Sequence, residues 1–410
     1  MNETFGSRPR RWLAVGVLGG AVVIVAALGG TARSAPRVSG PQTFTVNVDG
    51  HNPKANEAFI GYFPNVIRAH AGDTVVFHMV GNGEPHTVTL GSLANTAVAA
   101  FDKLTPAQQN NPPKAALAID TKVPSLLPNG PGDAIQSSSN PCVVASGAIG
   151  KGACPQGSRP AFDGSQSFYN SGWLAANEKF KVQLSSSTPT GTYRFMCLLH
   201  REGMSGKIVV VPASTPVATP AAQYAVGVKA LSAIEAKLAP AVALERQGKP
   251  PVPHLTLAPD SILAGSGANG VSGEITEFGP KVTRIPVGGS VTWWLIGPHS
   301  ITFNSSKANK DIRLVAPDGT VHANPKALAP AGGPGEPSKP PKGGKSPVSF
   351  VTVASQSWNG QGFHNSGVFG NSFGPPVIEG YKLTFTRKGT FNFICTVHDN
   401  MKGTIVVGGG

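Results

Sequence analysis

Short runs in which apolar and polar residues alternate recur from Thr43 to the C-terminus. Thr43-Phe-Thr-Val-Asn-Val48, Thr74-Val-Val-Phe-His-Met-Val80, Lys179-Phe-Lys-Val-Gln-Leu184 and Ile208-Val-Val-Val211 place β-branched and aromatic residues at period two, between Gly, Pro and Asn. Successive side chains of a strand face opposite ways, so this alternation describes strands with one buried face. An all-β fold of Greek-key β-sandwiches follows. One stretch breaks the period. Ala221 to Gly248 reads as a helix, with Thr219 and Pro220 as cap and first turn and Gly248 as stop. Tyr224, Val228, Leu231, Leu238 and Val242 fall near one face of it, and Pro240 ends or kinks its last turn. It reads as a connector packed on one domain.

The pattern also repeats as blocks. Val66 to Gly81 aligns with Val282 to Gly297, and each block leads to a Pro-His pair, Pro85-His86 and Pro298-His299. Phe162 to Gly172 aligns with Trp358 to Gly367, and Thr192 to Cys197 with Thr390 to Cys395. The same blocks in the same order describe a tandem duplication. The expected organisation is a leader over 1–41, one β domain over 42–213, a linker with the helix over 214–252, and a second β domain over 253–410. Ala323 to Ser346, rich in Pro, Gly and Lys, is expected to be a flexible loop.

Composition agrees: 410 residues suit two domains, and 51 Gly with 37 Pro suit short strands and long loops. A net charge of +13 on only 13% charged residues points to an anionic partner, such as an acidic redox protein or a membrane surface. The basic residues are scattered and accompany no recognition motif, which argues against nucleic acid. Arg8, Arg10 and Arg11 precede an uncharged stretch from Trp12 to Ala32. This is a signal peptide or an uncleaved membrane anchor, and either places the rest outside the cytoplasm, secreted or held at the outer face of the cytoplasmic membrane. Cys142 and Cys154 lie in a loop-like stretch where a disulfide is favoured in that compartment.

The other two cysteines belong to a doubled string, Cys197-Leu-Leu-His200-Arg-Glu-Gly-Met204 and Cys395-Thr-Val-His398-Asp-Asn-Met401. A soft thiolate, two imidazoles and a thioether form the ligand set of a blue-copper electron-transfer centre, with methionine as a weak axial ligand. Zinc would favour a stronger fourth ligand or an open water position. The expected cofactor is therefore two type 1 copper ions per chain. A bridge between Cys197 and Cys395 would leave the repeated His and Met positions without a role.

These residues resemble the cupredoxins, the family of plastocyanin, amicyanin and pseudoazurin. Cys395-x-x-His398-x-x-Met401 resembles amicyanin, and Pro298-His299 resembles plastocyanin. The resemblance implies that His299, Cys395, His398 and Met401 hold one copper in a sandwich of about eight strands, and that His86, Cys197, His200 and Met204 hold the other. The first copy departs from the second in carrying Leu198 where Thr396 stands, and in a methionine loop one residue longer. Its potential is expected to differ, as an internal relay requires.

Two functions are consistent with these residues: an extracytoplasmic electron carrier, and a copper-delivery protein without redox traffic. A multicopper oxidase or nitrite-reductase-like enzyme with an extra interfacial copper is disfavoured. Met196, Leu198, Ile394 and Thr396 flank the cysteines where such enzymes place histidines, and no two of the ten histidines lie closer than eight positions. His364 is the spare histidine that could ligate such an extra copper, but a packing or ligand-supporting role is the favoured reading. Asn170 and Asn365, in repeated Asn-Ser-Gly elements, read first as turn formers and second as braces for a ligand loop. Thr396 is expected to tune its neighbour Cys395.

Overall fold

A computed structural model describes residues 40–52, 56–81, 84, 86–110, 112–123, 160–249, 257–267, 271–315, 321–331, 349–368 and 377–408. The leader, Pro85, Cys142 with Cys154, and most of Ala323 to Ser346 lie outside the described residues.

The protein is all-β with two sandwiches. The first pairs a four-stranded sheet, in the order Tyr62–Phe63, Thr43–Val48, Thr74–Met79, Lys179–Gln183, with a five-stranded sheet, Val66–Ala69, Arg201–Val210, Gly191–Cys197, Thr89–Leu90, Tyr169–Asn170. Thr43–Val48 runs parallel to Thr74–Met79, and Val66–Ala69 parallel to Arg201–Val210. Successive strands therefore cross between sheets. The alternation read from the sequence matches the burial: Phe44, Val46 and Val48 are buried, and so are Val75, Phe77 and Met79.

The second sandwich repeats this plan. Its five-stranded sheet runs Val282–Ile285, Lys402–Val407, Gly389–Ile394, Thr302–Phe303, His364–Asn365. The facing sheet has seven strands, Ser349–Trp358, Val377–Phe385, Ser290–Leu295, Ser261–Gly267, Glu274–Gly279, Glu57–Ala58 and His51–Asn52. The last two come from the first half of the chain. Glu274 pairs with Ala58 and Ile275 with Glu57, so a hairpin preceding the first sandwich's ligands extends the second sandwich's sheet. One buried cluster spans both halves, from Ala94, Phe168, Trp173, Met196 and Leu198 to Trp293, Phe303 and Phe393.

The helix forms where expected, Pro220–Arg246, with Thr219 Oγ1 accepting from Ala222 N at 3.2 Å and Gly248 in the left-handed region at φ +67°. Its buried face differs from the sequence expectation. Tyr224 and Val228 are exposed, whereas Gln223, Gly227, Leu238, Ala241, Val242 and Glu245 are buried. Gln223 takes the place of a strand neighbour, accepting from Arg68 N and donating to Arg68 O, both at 2.9 Å. At Gly227 an added Cβ would lie 2.4 Å from Pro64 N, so only glycine allows this approach. The helix also touches both sandwiches rather than one, and it continues past Pro240. Within the stretch expected to be flexible, Pro325–Leu328 is helical, started by Asn324 Oδ1 accepting from Lys326 N at 3.1 Å with Pro325 in the first turn.

Candidate metal centres

Each sandwich gathers a cysteine and two histidines at one end. In the first, ligand atoms of His86, Cys197 and His200 all lie within 4.8 Å of one another, and in the second so do those of His299, Cys395 and His398. Cys197 and Cys395 are free thiols, so no bridge joins them. Met204 is buried in one core cluster with Cys197, and Met401 in one with Cys395.

Local structure explains the convergence. Cys197 ends Gly191–Cys197, and the next strand begins at Arg201, so Met204 stands on that strand. Pairing shifts register between Met196 and Cys197, and Arg201 adopts φ +55°. This irregularity absorbs the extra residue of the first methionine loop. In the second sandwich Cys395 follows Gly389–Ile394 and Met401 precedes Lys402–Val407. The loop closes tightly through Cys395 N to Met401 O at 2.9 Å and Met401 N to His398 O at 3.0 Å.

The second centre shows most directly what the donors are set to hold. His299 Nδ1 and His398 Nδ1 lie 3.1 Å apart, at 3.8 and 3.7 Å from Cys395 Sγ. His299 Nε2 faces the carbonyl oxygen of Ile296 at 3.0 Å, and His398 Nε2 faces Glu274 Oε1 at 3.1 Å. The Ile296 carbonyl only accepts, so His299 Nε2 carries a proton and turns Nδ1 toward the sulfur, while Glu274 turns His398 Nδ1 the same way. Two imidazole Nδ1 atoms and a sulfur converge on one buried point, and a soft thiolate with imidazoles suits copper. Burial alone would raise the Cys395 thiol, but hydrogen bonding to and charge on His299 and His398 outweigh it and hold the thiol well below its ordinary range.

The first centre has the same logic with different partners. Cys197 Sγ lies 3.8 Å from His86 Nδ1. Burial pushes this thiol up as well, but hydrogen bonds to His200 and His86 outweigh it and hold the thiol well below normal. His86 Nε2 faces Asp49 Oδ2 at 3.3 Å, and His200 Nε2 faces Glu84 Oε1 at 2.8 Å. These carboxylates orient the two rings so that their Nδ1 edges face the sulfur, and His200 Nδ1 is buried.

A hydrogen-bonded chain braces each cysteine loop from behind. Asn170 Oδ1 accepts from Thr89 Oγ1 at 2.9 Å, Thr89 and Thr87 hydroxyls meet at 3.1 Å, and Thr87 Oγ1 accepts from Leu198 N at 2.8 Å. The second sandwich repeats it: Asn365 Oδ1 from Thr302 Oγ1 at 2.9 Å, Thr302 to Ser300 at 3.0 Å, and Ser300 Oγ from Thr396 N at 2.8 Å. The Asn-Ser-Gly elements turn the chain and also take part in the brace. Gly172 and Gly367 turn the chain at positive φ, Ser171 and Ser366 accept from Val88 N and Ile301 N, and the asparagines anchor the brace. The signal missed in the sequence is the repeat that follows the histidines, His86-Thr-Val-Thr89 and His299-Ser-Ile-Thr302. Thr396 Oγ1 also meets Ser300 Oγ at 2.9 Å and Ala327 O at 3.1 Å, tying the loop to the helix Pro325–Leu328.

His364 lies elsewhere, buried between Trp358 and Phe303, with Nε2 at 2.5 Å from Tyr381 Oη. Burial depresses it to about 4, and it belongs to neither donor group. Sequence reasoning missed Asp49, Glu84 and Glu274, the acidic partners of the ligand histidines. Asp49 is fully buried at φ +62°, its Oδ1 accepting from Gly50 N and Phe59 N at 2.5 Å each.

Fold and site together define a class: a β-sandwich protein with two buried Cys-His-His sets, each sharing its core with a methionine. No protein-family model matches the sequence, and no curated protein matches it. Among solved structures, the chain is similar to dithionite-reduced auracyanin from the photosynthetic bacterium Roseiflexus castenholzii, at 16% identity over 42% of this chain and 99% of that one, with a TM-score of 0.22. Auracyanin A, a "blue" copper protein of Chloroflexus aurantiacus, matches at 18% identity over 42% of this chain and all of that one, TM-score 0.21. A Cu(I) form of an amicyanin mutant matches at 12% identity over 41% of this chain and 82% of that one, TM-score 0.19. At these values the case for a metal rests on the side chains described above.

Proposed function

We propose that the chain is an extracytoplasmic electron-transfer protein with two type 1 copper centres, one in each sandwich of a tandem duplication. His86, Cys197, His200 and Met204 hold the first ion, and His299, Cys395, His398 and Met401 the second. The observation that carries this reading is the convergence of His299 Nδ1 and His398 Nδ1, 3.1 Å apart, on the buried Cys395 Sγ at 3.8 and 3.7 Å. Copper bound there would supply a reversible one-electron couple.

The protein's own part is to hold four donors still and keep water out. The cysteines come from strand ends braced by the hydroxyl chains, and Cys197, His86, Cys395, His299 and His398 are 0–2% exposed. Donors fixed in this way need not move between the two oxidation states, which keeps reorganisation small. A closed site without an open position suits a carrier rather than an enzyme. The Arg8 to Ala32 segment supports secretion or anchoring, and the charge of +13 supports acidic redox partners.

The test is the optical spectrum of the full chain and of Cys395→Ser. The unmutated chain should be intensely blue when oxidised, and the variant should keep one of the two chromophores. A colourless Cu(II) adduct in the unmutated chain would sink the reading in favour of copper delivery.

A further inference from the structure

The two centres do not point into solvent. They face each other. His200 Nε2 meets Glu84 Oε1 at 2.8 Å, and ligand atoms of Glu84, Glu274 and His398 all lie within 4.8 Å of one another. Among the described residues, the carboxylates of Glu84 and Glu274 lie between the imidazole edges of the two centres, Glu84 within reach of both. Glu84 Oε2, Glu274 Oε1 and His398 Nε2 are all buried in this junction without a well-aligned hydrogen bond among the described residues. From these contacts we propose that Glu84 and Glu274 form the junction through which an electron passes from the first centre to the second, and that Asp49 makes the first centre the donor. The inference deepens the reading of two copper centres and rests on it.

The chain builds the junction from parts that the two copies do not share. Glu84 belongs to a stretch between Gly81 and His86 that is three residues longer than its counterpart between Gly297 and His299. Gly297 in turn leaves room for Glu274, whose Oε2 an added Cβ would meet at 2.7 Å. Glu274 itself is placed by strand pairing with Ala58, the cross-sandwich hairpin. The sandwiches are thus joined where their ligand histidines meet.

Direction follows from three differences between the centres. First, His86 Nε2 donates to the buried Asp49 carboxylate, with Glu84 Oε2 a further 3.8 Å contact, whereas His299 Nε2 donates to the neutral carbonyl of Ile296. A carboxylate partner raises ligand basicity and favours the more highly charged ion. Asp49 Oδ1 accepts from Gly50 N and Phe59 N, which fixes the side chain with Oδ2 facing His86 Nε2 at 3.3 Å. Second, Cys395 Sγ accepts from two amides, Ser300 N and Val397 N, both at 3.4 Å, while Cys197 Sγ accepts from Thr87 N alone among the described residues. Hydrogen bonds to the sulfur weaken its donation and favour Cu(I). Third, Glu84 is 1% exposed and Glu274 9%, so water screens the second centre's carboxylate more. All three lower the first potential relative to the second. Copper held at both sites would supply the couple, one electron leaving a reduced ion at the first centre and reaching an oxidised ion at the second. No bond forms or breaks, and the Nε2 protons stay on His200 and His398.

The test is spectroelectrochemistry of the full chain with copper content measured alongside. Two couples should appear, the lower vanishing in Cys197→Ser and the higher in Cys395→Ser, separated by at least tenfold in electron partition, about 59 mV for one electron. A chain reduced by one electron should keep the paramagnetic signal that Cys395→Ser retains. In Asp49→Asn the lower couple should move to more positive potential and the higher stay in place. If instead the higher couple vanishes in Cys197→Ser, the direction is overturned while the two-copper reading stands. A third copper per chain would make the junction a metal site and overturn its role as a bridge. Absence of any blue couple would refute both readings together.

Discussion

Replacing Gly265 by Ala should empty the second centre and spare the first. Gly265 sits at φ +77°, where a Cβ costs roughly 1–2 kcal/mol. The added Cβ would also lie 2.1 Å from His299 Nε2 and 2.5 Å from Ile296 O, the two atoms whose hydrogen bond fixes the His299 tautomer. Real Cβ contacts essentially never fall below 3.0 Å, so the imidazole must retreat by about 1 Å. Losing that buried hydrogen bond adds about 1–3 kcal/mol, for a total destabilisation of roughly 2–5 kcal/mol. Removing the group that orients a ligand histidine typically weakens metal binding by about 10–100-fold. The assay is copper per chain by elemental analysis, with a thermal melt beside it. Copper should fall from two ions toward one, and the surviving spectrum should match that of Cys395→Ser. Two tightly held ions with an unchanged spectrum would refute the argument that Ile296 and the bare backbone at Gly265 position His299.

Asn365→Ala removes donors to Lys326 O, Ala327 O and Ala329 O and the acceptor for Thr302 Oγ1 and Gly367 N, all around a fully buried side chain. It should lower stability by on the order of 3 kcal/mol and loosen the Thr396 brace, read as a lower melting temperature and a broadened copper spectrum; an unchanged melt would contradict it. Glu245 is fully buried, and burial raises its carboxyl well above the ordinary 4.5, while Ser266 Oγ donates to it. Its stabilising contribution is present below pH 4.5 and is lost as pH rises toward the folded value, with a slope of up to ~1.4 kcal/mol per pH unit. Glu245→Gln should flatten the melting curve against pH above 4.5 relative to the unmutated chain, and parallel curves would exclude the effect.

Period-two runs were enough to find strands such as Thr43–Val48, Thr74–Met79 and Lys179–Gln183, because burying one face of a sheet constrains every second residue, but not Ser261–Gly267 or Glu274–Gly279, where nearly every residue is buried. Thr219-Pro220 and Gly248 marked the helix ends for an equally local reason, the capping of free backbone groups. The helix's buried face was not legible: Gln223 and Gly227 are buried because the helix crosses Arg68 and Pro64, contacts remote in sequence. Both donor triads were readable from Cys-x-x-His spacing and the upstream Pro-His pairs. Asp49, Glu84 and Glu274 were not, since each acquires its role only when a loop or the hairpin at 51–58 is folded against a ligand histidine. The hydroxyl braces lay between these cases, visible as a repeated Ser/Thr pattern but without meaning until Asn170 and Asn365 were placed beside it.

The most direct measurement is copper content per chain together with the optical and paramagnetic-resonance spectra of the oxidised full-length protein. Two ions per chain, intense absorption in the visible, and the narrow copper hyperfine splitting of a thiolate-bound ion for both are predicted. One or no ion, or Cu(II) bound without visible colour, would contradict the central claim.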